Sequence, residues 1–470
     1  MGQRSQCLGD TIEGARGRSS TMAVQNHTGQ QTLEELESRA KELSRRIGEA
    51  KRAGHDASAL IREHQQVSAS VRQLRNAGGG PEHPSDSSGL ARAPTTEVIG
   101  DTERFAQMRE EFGELVASSA SPSPFVTWEW LYPWWQFFAG PWKLRLVTVR
   151  EPTGRLIAAA PLILGREASR RGLQRRTVLR FIGTGDGPRS DLLAFPVRRG
   201  CERAGLATLL DVIYSRSGEW EAVSLEHVSP FDDGWALTRA ALSRPESILV
   251  ARGERLCMQG PLGEDFDAFI SRVPSERRRT YLRRGDEALR EAYGRVEYDV
   301  CDAPDRIDEF IDVLARLSIE RRRRLPDRST WEDEQSAACR KRVAHLFWER
   351  GWLRLDTLKV NSRPIAALMG FAYRGTYYVY QMGFDPAYAR FRPVHSLIGH
   401  RVRLSIQEGL REVNFLGGDD AYKAQYVASG VAQLCLTFLN DRPRSLLKAG
   451  TDLALAGLGR VLRRTTPPKA

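Results

Sequence analysis

The sequence predicts an α+β protein. Its body is two copies of one unit, each a mixed sheet with flanking helices, and an antiparallel helical hairpin precedes it. Three observations carry this. Two runs near the start space apolar residues by alternating threes and fours. A strand–turn–strand pattern at Leu144 returns about 209 residues later at Leu353. A Gly-, Pro- and Ser-rich stretch over 77–97 separates hairpin from body.

Bulk properties bound the answer. A chain of 470 residues suits two or three domains. With 41% hydrophobic residues and a mean hydropathy of -0.43, it can build cores. The longest clean apolar run, Leu156 to Leu164, is broken by Pro161 and is about half of what a membrane-spanning helix needs. The first residues lack the apolar stretch of a secretory signal. The expectation is a cytoplasmic protein without stable membrane insertion. The six cysteines form no CxxC pair and no zinc spacing with histidine, so no metal is expected and the thiols stay reduced. The net charge of +11 attracts polyanions. Only 8 of the 70 basic residues are Lys; the Arg excess mostly reflects a GC-rich genome, and each Lys is worth inspecting singly.

Residues 1–30 carry no pattern and are expected to be disordered. In 31–76, Leu36, Ala40, Leu43, Ile47 and Ala50 form one seam, and Ala57, Leu60, His64, Val67, Val71 and Leu74 the other. Gly54 supplies a left-handed cap and Asp56 starts the second helix. Two helices of about 22 residues extend roughly 33 Å, which makes an arm rather than a core. Arg45, Arg46, Lys51, Arg52 and Arg62 gather toward the tip. That placement suits a phosphate backbone; on periodicity alone a solvated dimerisation coil is the better reading. Residues 77–97 read as a flexible linker that tethers the arm.

The body divides at 98–256 and 257–440, followed by a basic tail at 441–470 whose default role is packing. In the second half, Thr376 to Tyr380 is a strand, Val394 to Gly409 a helix, and Val413 to Leu416 a strand closed by Gly417-Gly418-Asp419. The loop Gly183 to Pro188 lacks GxGxxG and is a plain loop. The Trp-rich stretch 128–142 is core. His395 and His400 have no acid partner in view, which argues against a metal site or a Ser/His/Asp triad.

Leu43 to Ala57 resembles the tRNA-binding arm of seryl-tRNA synthetases, in which a similar run bridges the two arm helices. No synthetase catalytic motif follows. The body resembles the CelD-like acetyltransferases of the GNAT superfamily and their relatives, the Fem-type aminoacyl-tRNA-dependent transferases. The pieces that carry it are Glu129-Trp130-Leu131, Phe181-Ile182-Gly183, Ser190-Asp191-Leu192, the basic helix Arg277 to Arg284, Pro364-Ile365-Ala366, Gly383 to Pro386, Phe415-Leu416-Gly417 and Tyr422-Lys423. The resemblance implies two GNAT-like halves around a shared cleft, the second catalytic.

The candidate site follows. Tyr422-Lys423-Ala424-Gln425-Tyr426 matches the Fem-type aromatic-Lys-x-x-aromatic spacing, which implies that Lys423, with Tyr422, stabilises charge as an amine attacks the aminoacyl ester. Asp419 is a candidate proton acceptor. Asp191 and Tyr380 are candidate substrate contacts, as are Arg390 and Arg392. The turn that holds pyrophosphate in acyl-CoA-dependent relatives falls on Ala389 to Ser396; it has no Gly, and Pro393 removes a donor. Arg277, Arg278 and Arg279 are candidates for the tRNA acceptor stem. Arm and body together point to an aminoacyltransferase whose donor is aminoacyl-tRNA, with tRNA-Ser favoured, whose acceptor is a small molecule, and which needs no cofactor. An acyl-CoA-dependent N-acyltransferase, with acetyl-CoA as donor, and a non-catalytic tRNA-binding protein are the alternatives. Oligomeric state is not legible.

Overall fold

The computed structural model describes residues 93–121, 123–168, 175–229, 247–323, 329–418, 420–440 and 442, with Glu42 and Arg46; of 247–254 and 420 it describes the backbone alone. The chain divides into two units, Met1–Leu90 and Ala91–Ala470. Apart from the helical, exposed Glu42 and Arg46, the arm lies outside the described residues, as do Arg45, Lys51, Arg52, Arg62, Asp419 and the tail beyond Arg442.

The second unit begins with β1 (Thr95–Ile99), α1 (Thr102–Gln107), α2 (Arg109–Ser118) and α3 (Trp128–Phe138). There follow β2 (Lys143–Arg150), β3 (Leu156–Ala168), β4 (Arg175–Phe181), α4 (Glu202–Ser215) and β5 (Ala222–Val228). Next come β6 (Ser247–Pro261), α5 (Phe266–Arg272), α6 (Glu276–Arg284), α7 (Glu287–Tyr293) and β7 (Val296–Val300). After these are α8 (Ile307–Arg322), α9 (Glu334–Glu349), β8 (Leu353–Val360), β9 (Arg363–Tyr373) and β10 (Thr376–Phe384). The unit ends with α10 (Pro393–Gln407), β11 (Glu412–Gly417), α11 (Asp420–Lys423) and β12 (Gly430–Asn440). Starts follow local chemistry. Asp101, Asp265, Ser275 and Asp333 each accept backbone N–H bonds that a helix cannot satisfy itself.

The strands form one twelve-stranded sheet in the order β1-β2-β3-β4-β5-β12-β6-β11-β10-β9-β8-β7. This order is a palindrome. β1 to β4 are antiparallel neighbours and β4 pairs parallel with β5. β7 to β10 repeat the pattern, and β10 pairs parallel with β11. The echoed hairpins are β2–β3 and β8–β9, at matching positions in the two repeats. The duplication expected from sequence is therefore present, and its two mixed sheets are fused edge to edge. β6 runs across residues 256 and 257, and β12 pairs with both β6 and β5. β12, from the second half, thus lies between β5 and β6.

Both parallel pairs are short. β4–β5 registers only Val178 to Arg180 on Ala222 to Ser224, and β10–β11 only Thr376 to Tyr378 on Glu412 to Asn414. Beyond these residues β4 and β5, and likewise β10 and β11, are no longer paired. Helix α3 fills the space between the repeats. Trp128, Trp130, Trp134 and Trp135 are buried, and Trp130 packs on Phe347, Phe371 and Tyr380 of the second repeat. Glu129, also buried, accepts from Arg109 at 3.3 Å and from Arg350 at 2.7 Å, so one carboxylate ties α2 to the end of α9. On the second repeat, Arg401 of α10 binds both carboxylate oxygens of the buried Asp356 on β8.

Candidate functional site

The two repeats meet at β12 and β6, and a polar cluster is buried there. Asp191 reaches it from the long loop after β4. Its Oδ1 accepts from Arg189 at 3.1 Å and from Gln433 Nε2 of β12 at 2.8 Å. The same Gln433 amide donates to Cys257 Sγ on β6 at 2.7 Å, and its oxygen accepts from Leu192 N at 2.7 Å. One fully buried glutamine therefore satisfies three partners from two segments, the loop after β4 and strand β6. The loop is braced from behind. Trp130 Nε1 donates to Ser190 Oγ at 2.8 Å, and Ser190 Oγ donates to Gly183 O at 2.7 Å.

Lys423 closes the other side. Its Nζ donates to Leu416 O at 3.0 Å and to Gly417 O at 2.6 Å, at the end of β11. Gly417 lies opposite Cys257 in the ladder. A Cβ on Gly417 would stand 2.4 Å from Arg189 Nη2 and 3.0 Å from Asp191 Oδ1, and one on Gly418 would stand 3.3 Å from Lys423 Nζ. A side chain at either position would push on Arg189, Asp191 or Lys423, and glycine leaves the approach open. Asp191 and Lys423, more than 200 residues apart in sequence, are thus neighbours across Arg189 and the glycine pair.

Three of the seven positive-φ non-glycine residues among the described residues lie here. Leu192, His227 and Leu416 all hold positive φ, at 54°, 57° and 59°. His227 and Leu416 occupy matching bulges. Two residues of β5, Glu226 and His227, oppose one of β12, and two of β11, Phe415 and Leu416, oppose one of β6. Such conformations cost about 1–3 kcal/mol each and gather at functional sites. Burial pushes the Cys257 thiol well above its usual value, so it is a packed thiol rather than a nucleophile.

A second network adjoins the first through Tyr422, the neighbour of Lys423. Its hydroxyl is 2.9 Å from Tyr426 Oη, and Tyr426 Oη bonds His395 Nδ1. His395 Nε2 bonds Arg278 Nη1, and Arg278 Nη2 donates to Gln425 Oε1. An arginine only donates, so Nε2 accepts and the imidazole proton sits on Nδ1. Burial, with Arg278 and Arg392 nearby, lowers His395 to about 3. Arg278 is 7% exposed and faces inward. Arg277 is exposed and donates to Tyr281 Oη at 3.0 Å, and half-buried Arg279 donates to Val273 O at 2.9 Å. The basic helix α6 thus divides its arginines: Arg278 braces the site and Arg277 faces solvent.

Tyr380 stands on a bulge in β10, its ring against Phe125, Trp130 and Phe371 and its hydroxyl enclosed without a hydrogen-bond partner. Burial pushes it up to about 12. Arg390 and Arg392 are exposed on the turn before α10, with Arg392 left-handed at φ 56° and Arg390 over the Phe391 ring. The structure does not bring these two arginines to the Asp191–Lys423 cluster. Arg189, His227, Cys257 and Gln433 were not found from sequence. They belong to no motif, and only the central pairing of β12 with β6 assembles them. Among the described residues no group of three or more His, Cys, Asp or Glu is placed to hold a metal, and no helix is long and apolar enough to cross a membrane.

Comparison with known proteins agrees with this architecture. Residues 276–424 match the family model described as acetyltransferase (GNAT) domain. The crystal structure of FemX superposes with a TM-score of 0.51 at 12% identity, covering 75% of this chain and 99% of that one. That likeness shows a shared fold. L-PGS from Bacillus licheniformis gives a TM-score of 0.43 at 14% identity, over 75% of this chain and 96% of its own. A tandem GNAT protein from the clavulanic acid biosynthesis pathway gives 0.39 at 14% identity, over 74% and 99%. No curated protein matches the sequence.

Proposed function

From a duplicated GNAT acyltransferase fold, we propose an aminoacyltransferase that takes the aminoacyl group of a charged tRNA, seryl-tRNA for preference, and passes it to an amine of a small-molecule acceptor. The observation that carries this is Lys423. Its ammonium is held on the carbonyls of Leu416 and Gly417, beside Arg189 and Asp191. It belongs to the Tyr422–Tyr426 motif that resembles the Fem-type transferases. When the amine attacks the ester carbonyl, negative charge builds on the carbonyl oxygen. A preorganised cation stabilises that charge more than it stabilises the ground state. The C–N bond forms, the C–O bond to the ribose breaks, and an amide results. The activated ester supplies the driving force.

The turn before α10 supports tRNA over acyl-CoA. Pro393 offers no N–H, the turn has no glycine, and His395 of the first helical turn is engaged with Arg278 and Tyr426. The arm's resemblance to that of seryl-tRNA synthetases supports the choice of tRNA. Arg45, Arg46, Lys51, Arg52 and Arg62 would grip the tRNA, with Arg277 of the body at the acceptor stem. A second reading, acyl-CoA-dependent N-acylation, is favoured by the description of the matching family. Purified protein incubated with radiolabelled seryl-tRNA and a pool of small amines tests the proposal. Label appearing in a base-stable small-molecule amide supports it, and label transferred only from acetyl-CoA refutes it.

A further inference from the structure

The seam also encloses an imidazole nitrogen. His227 stands on the β5 bulge, its ring 13% exposed and its Nδ1 enclosed without a hydrogen-bond partner. The nearest acid is Asp191, whose Oδ1 lies 3.9 Å from that nitrogen. Enclosing an unpaired imidazole nitrogen is unfavourable, and the left-handed backbone adds strain. The matching bulge on β11 has an evident role, because Leu416 there turns its carbonyl to Lys423. On β5 the His227 carbonyl accepts from Leu193 N at 2.7 Å, which holds the backbone in place and leaves the ring unexplained.

We propose that His227 is the general base of the transfer, with Asp191 as the carboxylate that stabilises its imidazolium, and that the acceptor is a primary amine entering on the His227 side of the seam. This rests on the aminoacyl-transfer reading. Nδ1 is enclosed while 13% of the side chain is exposed, so Nε2 is assigned as the atom that meets the amine. Nε2 takes a proton from the amine as its nitrogen attacks the ester carbonyl. Nδ1–H then turns to Asp191, closing roughly 1 Å to reach hydrogen-bond distance. As the intermediate collapses, the proton held on Nε2 passes to the departing ribose oxygen. The imidazole is restored, and no oxidant or reductant is needed.

The charged groups facing His227 are Asp191 and Arg189 from the loop after β4, Arg255 from β6, and Glu226 from its own strand. Burial, reinforced by Arg189 and Arg255, lowers the imidazole from its ordinary value, while Asp191 and Glu226 oppose. The ring is therefore neutral at pH 7 and able to accept a proton.

The test uses the full chain, radiolabelled seryl-tRNA and ethanolamine as probe amine. His227→Gly suits the left-handed backbone, so the fold should survive. Transfer should fall about 10²-fold or more, and added imidazole should restore a measurable part of it. A structural role would not produce such rescue. In Asp191→Asn the acid limb of the pH–rate profile should move to lower pH, because the carboxylate that raises His227 is gone. Wild-type rates in His227→Gly, or loss without imidazole rescue, overturn the proposal. If the wild-type protein transfers nothing, the aminoacyl reading fails instead. NMR titration of the His227 ring then decides the pairing: a lowered pKa in Asp191→Asn supports it, and an unchanged one overturns it.

Discussion

Replacing Lys423 by Met keeps most of the side-chain volume and removes the ammonium. In the structure that ammonium donates at 3.0 Å to Leu416 O and at 2.6 Å to Gly417 O. Hydrogen bonds from charged donors contribute about 1.5–3 kcal/mol each when buried. Lys423 is half-buried, so the pair together is worth about 1–3 kcal/mol of stability after screening. The catalytic effect should be larger in proportion. Losing one donor to a developing oxyanion costs about 10²–10³ in rate, or roughly 2.7–4 kcal/mol. Single-turnover transfer of serine from seryl-tRNA measures the rate, and filter binding measures tRNA affinity. The expected result is a rate lower by about 10²-fold with tRNA affinity changed by less than about twofold. A variant that folds and transfers at the wild-type rate would make Lys423 a strap for the β11 bulge and nothing more.

Other consequences are open to measurement. Asp356→Asn leaves the buried Arg401 guanidinium without its bidentate partner and should cost about 3–5 kcal/mol in urea unfolding; a loss under about 1 kcal/mol would contradict the burial argument. His395 and His400 are held at about 3 and about 4, the former by burial and nearby Arg278, the latter by burial and nearby Arg401 and Arg403. Both bind protons more readily when unfolded, so their stability contribution is full above about pH 6.5 and is lost as pH falls toward those values, with a slope of about 1.4 kcal/mol per pH unit for each. Replacing both by Gln should flatten that part of the stability–pH curve, and an unaltered slope would refute the assignment. Removing residues 1–90, at the boundary between the two units, should leave the body folded and weaken seryl-tRNA binding. Changing Arg45, Arg46 and Arg52 to Glu should do the same and reduce the salt slope by about 0.7–0.9 per lost phosphate contact. Unchanged binding with self-association of the isolated arm would identify a dimerisation coil.

Much of the fold was legible because its repeats are local. The two strand–turn–strand patterns and the helix after Val394 each announce themselves within about 15 residues. What sequence could not convey was the fusion of the repeats into one sheet, because β12 crosses to lie beside β5 and no local pattern encodes that pairing. The site divides in the same way. Lys423 and Asp191 sit in motifs, so sequence singled them out, and the structure brings them together. Gln433, His227 and Arg189 act through long-range placement, and the positive φ of His227 is a property of the bulge rather than of the residue type. Arg278 shows the converse. In sequence it is one of three adjacent arginines, whereas helical periodicity turns it alone inward, onto His395 and Gln425.

The central claim is that the acyl group arrives on tRNA. One competition measurement tests it: full-length protein receives seryl-tRNA labelled with one isotope and acetyl-CoA labelled with another, with a common pool of small amines as acceptors. Serine label should move to a base-stable small-molecule product, and acetyl label should not. Acetyl transfer with saturable micromolar CoA binding, while serine stays on its tRNA, would contradict it.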